Sequence, residues 1–143
     1  MVHIKDEGST FDAPIEVVWK YLQAPEEHTR THKNRNFKSK SNSENVMELS
    51  WEGNMGGTWV PMRMRITALP PVGVAIEMLE GPMGGSKFFN IYTPMGDKTG
   101  ITVIGDFTSK MIPPAQLEPS VRGFLEQVYT EDAAAIKAMA SKK

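Results

Sequence analysis

Apolar residues recur every third or fourth position near the end of the chain, at Leu117, Val121, Phe124, Leu125, Val128, Ala135, Ile136 and Met139. That spacing lays one apolar stripe along a helix and predicts a long amphipathic helix over residues 117–139, roughly 30 Å from end to end. A helix of that length needs a broad apolar surface to lie on. The middle of the chain supplies one, because there the period changes to two. Met47, Leu49 and Trp51 alternate with Glu48, Ser50 and Glu52; Val60, Met62, Met64 and Ile66 alternate with Pro61, Arg63, Arg65 and Thr67; Val72, Val74, Ile76 and Met78 continue the scheme against Glu77. Each segment has one apolar and one wet face, as half-buried antiparallel strands do.

The remaining segments complete the plan. Val2, Ile4 and Phe11 predict a first strand, bulged near Gly8. Asp12 is placed to cap a short helix whose apolar side is Ile15, Val18, Trp19 and Leu22, with Pro14 in its first turn. Pro25 opens a second short helix, with Glu26 and Glu27 complementing its dipole, and this helix is expected to end near Lys33 and Asn34. Around residues 87–93 the aromatic side chains Phe88, Phe89 and Tyr92 crowd both faces, so strand orientation is ambiguous there. Residues 96–100 read as a hairpin turn. The expected fold is α+β: a curved antiparallel sheet of about seven strands wrapped around a long C-terminal helix, with two short helices after the first strand. The 143 residues suit a single domain over 1–143.

Charge and composition narrow the function. Sixteen basic and seventeen acidic residues leave a formal charge of −1, with no run of like charge to hold nucleic acid, so no nucleic-acid partner is expected. The modestly basic stretch 30–40 reads as a solvated turn and edge strand. No cysteine is present, which excludes disulfides, thiolate nucleophiles and cysteine metal sites. The first residues lack the apolar core of a signal peptide and no apolar run is long enough to span a bilayer, so the expected location is cytoplasmic. Composition leaves the oligomeric state open.

The order of elements resembles the helix-grip fold of the SRPBCC superfamily, which groups the START lipid-binding domains, the birch-pollen allergens and the bacterial polyketide cyclase/dehydrase proteins. The resemblance runs the length of the chain and rests on FDAPIEVVWKYL at 11–22, WEGNMGGTW at 51–59, the 71–82 run ending in EMLEGP, and Asp132 in the terminal helix. These pieces mark the fold and carry no catalytic signature. The resemblance implies a deep cavity between sheet and terminal helix for an apolar ligand, and leaves ligand and reaction open.

Candidate residues follow from the predicted faces. Eight of the ten methionines lie in the strand region, and methionine adapts to ligands of irregular shape. Met47, Met62, Met64 and Met78 sit on the inward face; Trp51, Phe88, Tyr92, Phe124 and Val128 complete the expected ligand-binding set. Met55, Met83 and Met95 fall in turns at the rim, and Trp59 is out of phase. Gly123, inside the terminal helix, requires compensation, either close packing of a strand or a gap for ligand. Asp132 interrupts the apolar stripe and requires a partner, expected to be the Trp19 indole or the turn before the first helix. Should the pocket catalyse a cyclisation or dehydration, Tyr92, Asp106, Asn90 and Arg35 are the acid/base candidates, none with a nucleophile beside it. His28 and His32 share a helix face but have no evident third ligand, so neither metal nor cofactor is expected. The glycine-rich turn 52–58 joins two strands and is no nucleotide loop; it reads as a hairpin, or a lid over a cavity mouth. Three functions remain: binding of a hydrophobic or amphipathic small molecule, a cyclase/dehydratase in the same cavity, and an interaction module without ligand.

Overall fold

The computed structural model describes residues 1–142, with every side chain among them except those of Pro25, His28 and Thr29. The elements run β1 (Val2–Phe11), α1 (Ile15–Leu22), α2 (Pro25–His32), β2 (Arg35–Ser41), β3 (Val46–Met55), β4 (Thr58–Leu69), β5 (Gly73–Glu80), β6 (Lys87–Met95), β7 (Lys98–Phe107) and α3 (Pro114–Ser141). Strands β2 to β7 form an antiparallel meander and β1 joins beside β7, giving the order β1-β7-β6-β5-β4-β3-β2. Strands β1 and β2 are therefore the edges. Both depart from regular register against their neighbours, between Asp6 and Ser9 in β1 and between Arg35 and Lys38 in β2. The expected bulge near Gly8 falls in the first of these.

Register fixes the faces. Met47, Ile66, Ile76, Phe88, Gly105 and Ile4 face one another in turn across six strands, and Leu49, Met64 and Met78 form the next row. These rows lie on the concave side. The convex side carries the charged alternates, tied by Arg63 to Glu48 (3.0 Å) and Arg65 to Glu77 (3.3 Å). A Cβ at Gly105 would stand 2.4 Å from the Phe88 Cα, so glycine lets Phe88 sit deep enough to stack on Phe107 at 4.9 Å between ring centres.

The long helix covers part of the concave side. Leu117, Val121 and Leu125 of α3 pack with Ile4, Val74, Ile76, Met78, Phe88 and Phe107 in the main core. Farther along, Ile136 meets Phe11, Ala13, Val18, Tyr21 and Tyr92 in a second cluster under α1. Helix α3 starts three residues before the expected position, because Pro114 fits a first helical turn where no intrahelical N–H bond is lost. At α1 the cap differs from expectation. Pro14 occupies the N-cap with no side-chain hydrogen bond, and Asp12 pairs instead with Lys98 at 3.6 Å. The buried residues of α1 are Val18 and Tyr21, so its inward face is turned toward Tyr21 relative to the predicted stripe. Met83, expected at a rim, is buried in the main core; Met55 and Met95 are exposed at hairpin ends. The glycine-rich turn is a two-residue hairpin with Gly56 and Gly57 both at positive φ, as such turns require.

Candidate functional site

The space directly beneath α3 is nearly filled. A hole of about 20 Å³ lies among Asp6, Ser9, Ile101, Val103, Leu125 and Tyr129, room for a single water. The deep cavity expected between sheet and helix is thus closed where α3 sits. Beyond the helix the concave side opens. Trp51 faces Met62, Leu49 faces Met64 and Met47 faces Ile66, and of these only Leu49 is buried. On α3, Phe124 is 40% exposed and Val128 half-buried. Phe124 lies seven residues before Glu131, nearly two full turns, hence on the flank of α3 that meets α2. Apolar side chains on the concave strands and on this flank keep part of their surface free.

The expected ligand-binding residues divide accordingly. Met47, Trp51, Met62, Met64, Phe124 and Val128 keep part of their surface free, whereas Met78, Phe88 and Tyr92 are buried in the core clusters. Tyr92 packs edge-on against Trp19 with ring centres 6.1 Å apart. Asn90, two residues earlier, shares its face and lies between Val74 and Val103 in the neighbouring strands. Among the four acid/base candidates only these two face inward. Arg35 lies on the convex side, its guanidinium 4.0 Å from the Trp59 ring centre and its Nε donating to Glu52 Oε1 at 3.2 Å. Asp106 is exposed and pairs with His3 at 2.8 Å. Neither Arg35 nor Asp106 reaches the concave side, because each occupies the charged alternate of its strand. A wider depression, about 670 Å³, lies on the convex face among Arg65, Glu77, Lys87, Phe89 and Asp106. It is open to solvent, and its charged border surrounds an apolar floor that includes Ala75, Phe89 and Ile104.

Asp132 has its partners, though not the expected ones. Tyr21 Oη donates to Asp132 Oδ1 at 2.5 Å, and His32 Nε2 donates to the same oxygen at 3.0 Å. His32 Nδ1 lies 3.2 Å from Glu131 Oε1. Burial disfavours the charged imidazole, but hydrogen bonds and Coulomb attraction from Asp132 and Glu131 outweigh it and raise the His32 pKa above its ordinary value. With a carboxylate at each ring nitrogen, the protonated ring donates twice. Burial, then the negative charge of Asp132, pushes the Tyr21 phenol well up, so it remains a donor. The cluster joins α1, α2 and α3. Sequence reasoning missed Tyr21 and His32 because the partners lie 111 and 100 residues from Asp132. The unpaired carboxylate on an apolar stripe was the available signal. His28, the other half of the histidine pair, has its side chain outside the described residues. No cluster of three metal-ligating side chains occurs among the described residues.

Comparison with solved structures identifies the architecture. A protein from Thermus thermophilus superposes with a TM-score of 0.77 over 98% of this chain and 100% of its own, at 15% identity. The Zhui aromatase/cyclase from a Streptomyces species gives 0.72 over 99% and 94%, also at 15%. A START superfamily protein from Mycobacterium smegmatis gives 0.76 over 96% and 99%, at 12%. The chain has the helix-grip fold. Its seven-stranded curved antiparallel sheet and long terminal helix match the architecture of these structures. No protein-family description and no curated protein matches the sequence. Among the described residues of this helix-grip chain, no helix is long and apolar enough to cross a membrane.

Proposed function

We propose that this helix-grip protein binds a hydrophobic or amphipathic small molecule, of a lipid, isoprenoid or polyketide-like kind, in the cleft between β3–β4 and the Phe124 flank of α3. One observation carries the reading: Trp51, Met62, Met64 and Ile66 are only partly buried on the apolar face of the sheet, and Phe124 is exposed on α3. Apolar surface left in water on neighbouring elements favours a guest by about 25 cal/mol per Å² covered, less the cost of ordering it. Similarity to an aromatase/cyclase and a START superfamily protein supports a site of this type. A near-neutral chain favours an apolar guest over nucleic acid, and the absence of cysteine suits a reducing cytoplasm.

The inward polar groups offer a cyclisation or dehydration a proton donor and no base. Burial pushes the Tyr92 phenol well above its ordinary pKa, so at neutral pH it is a hydrogen-bond donor and no general base. A cyclase/dehydratase reading would rest on Tyr92 and Asn90 alone. Native mass spectrometry of the purified protein, followed by organic extraction, tests the proposal. The expected result is a discrete apolar molecule, lost from Met64→Arg while Tyr92→Phe retains it. Bare protein mass, with no thermal shift from lipids or aromatic polyketides, would move the reading to an interaction module.

A further inference from the structure

The convex face of the sheet carries a pattern that a single chain does not use up. One row of register crosses Arg65 in β4, Glu77 in β5, Lys87 in β6, Asp106 in β7 and His3 in β1. It continues outward to Glu48 in β3 and Lys40 in β2, so basic and acidic side chains alternate across all seven strands. Lys87 stands exposed between Glu77 and Asp106, but those carboxylates pair with Arg65 and His3, which leaves the ammonium without an ion pair among the described residues. The adjacent row is uncharged from β4 to β7: Thr67, Ala75, Phe89 and Ile104. Both rows line the depression of about 670 Å³. Phe89 is 47% exposed there, and Leu69, one row farther on, is 42% exposed. A contiguous apolar strip left in water beside a polar border is the usual mark of a docking surface.

We propose that the convex face docks a second copy of this chain, sheet against sheet, about a two-fold axis parallel to the strands and midway between β5 and β6. Such an axis exchanges β5 with β6, β4 with β7 and β3 with β1, and keeps each row opposite itself. In the charged row it sets Glu77 against the partner's Lys87, Arg65 against the partner's Asp106 and Glu48 against the partner's His3. Each meets its opposite. In the adjacent row Ala75 meets the partner's Phe89 and Thr67 meets the partner's Ile104, a small side chain against a large one each time. An axis between β4 and β5 would instead oppose Thr67 to Ala75, and one between β6 and β7 would oppose Phe89 to Ile104. The alternating row selects a copy of this chain over a partner of one charge sign, because half of the row would repel either sign whereas the row is its own complement. This surface lies on the other side of the sheet from the proposed cleft, so the assignment stands independently of the binding reading.

Sedimentation equilibrium of the purified chain over a concentration series tests the proposal. Wild type is expected to dimerise, less tightly as salt rises. Glu77→Lys and Lys87→Glu each bring like charges together twice across the axis, and each alone is expected to weaken the dimer about a hundredfold. Mixed in equal amounts, the two variants are expected to form a heterodimer, because Glu77→Lys presents two cations at the seam where Lys87→Glu presents two anions. Phe89→Gln, which withdraws the apolar contact, is expected to weaken the dimer as well and serves if either charge variant does not fold. A wild type that stays monomeric throughout the series would overturn the proposal. So would a dimer that survives these substitutions, or charge variants that remain monomeric when mixed.

Discussion

Gly123 stands within α3, yet beyond the helix's own adjacent backbone nothing lies within 4 Å of the place a Cβ would take. The expected compensation, a closely packed strand, is absent; the position faces open space. Gly123→Ala therefore removes backbone freedom from the unfolded chain with no steric consequence, and stabilises by about 1 kcal/mol. Urea denaturation measures this, and an unchanged ligand affinity in the same variant would separate Gly123 from the cleft. At this scale the sequence spoke through anomalies. Asp132 on an apolar stripe announced a partnership, but which side chains answered depended on folding distant segments together. Arg35 and Asp106 looked eligible because polarity was visible and strand phase was not. Once β2 and β7 are in register, both fall on the wet alternates. Asn90 was legible as an inward polar residue, but not as one set between Val74 and Val103.

Helix α2 is held less by apolar contact than by charge. It buries no large hydrophobic side chain, and its terminal His32 lies between Glu131 and Asp132 of α3. The folded pKa of His32 lies above its free value of 6.5. The protonated ring therefore contributes stability in full below about pH 6.5, and this is lost as pH rises through the raised folded value. Urea midpoints measured from pH 6 upward are expected to fall for wild type across that window and to stay flat for His32→Gln. A parallel decline in both proteins would assign the dependence to other groups. Elements with a clean two-residue period, β3 to β5, were legible in phase but not in length: Val72, read into the strand, is exposed in the turn before β5, and β3 runs on to Met55 through residues read as turn. Strand β6 was not legible in phase, because Phe89 is exposed on the convex face while Phe88 and Tyr92 are buried. An aromatic residue on the wet side breaks the alternation on which the reading depends.

Across the whole molecule, the helix covers the β1, β7, β6 and β5 side of the concave sheet and leaves β3 and β4 partly bare. Order and architecture were legible, since the two-residue period of the middle of the chain made a sheet the surface on which the long amphipathic helix lies. Where that helix would lie was not, because the choice depends on which half of the sheet its Leu117, Val121 and Leu125 fit. A guest in the uncovered half binds only the folded state. At a hundredfold excess over its Kd it is expected to stabilise the protein by about 2.7 kcal/mol, read as a rise in Tm that Met64→Arg abolishes. The two ends of the sheet carry a different consequence. Strands β1 and β2 alone present unpaired backbone along their outer sides, and both are interrupted in register. Along β2 the exposed side chains include Arg35, Lys38 and Lys40. A second chain approaching that border would meet a row of like charges and a kinked ladder, so the open sheet carries its own defence against growing, strand upon strand, into a fibril.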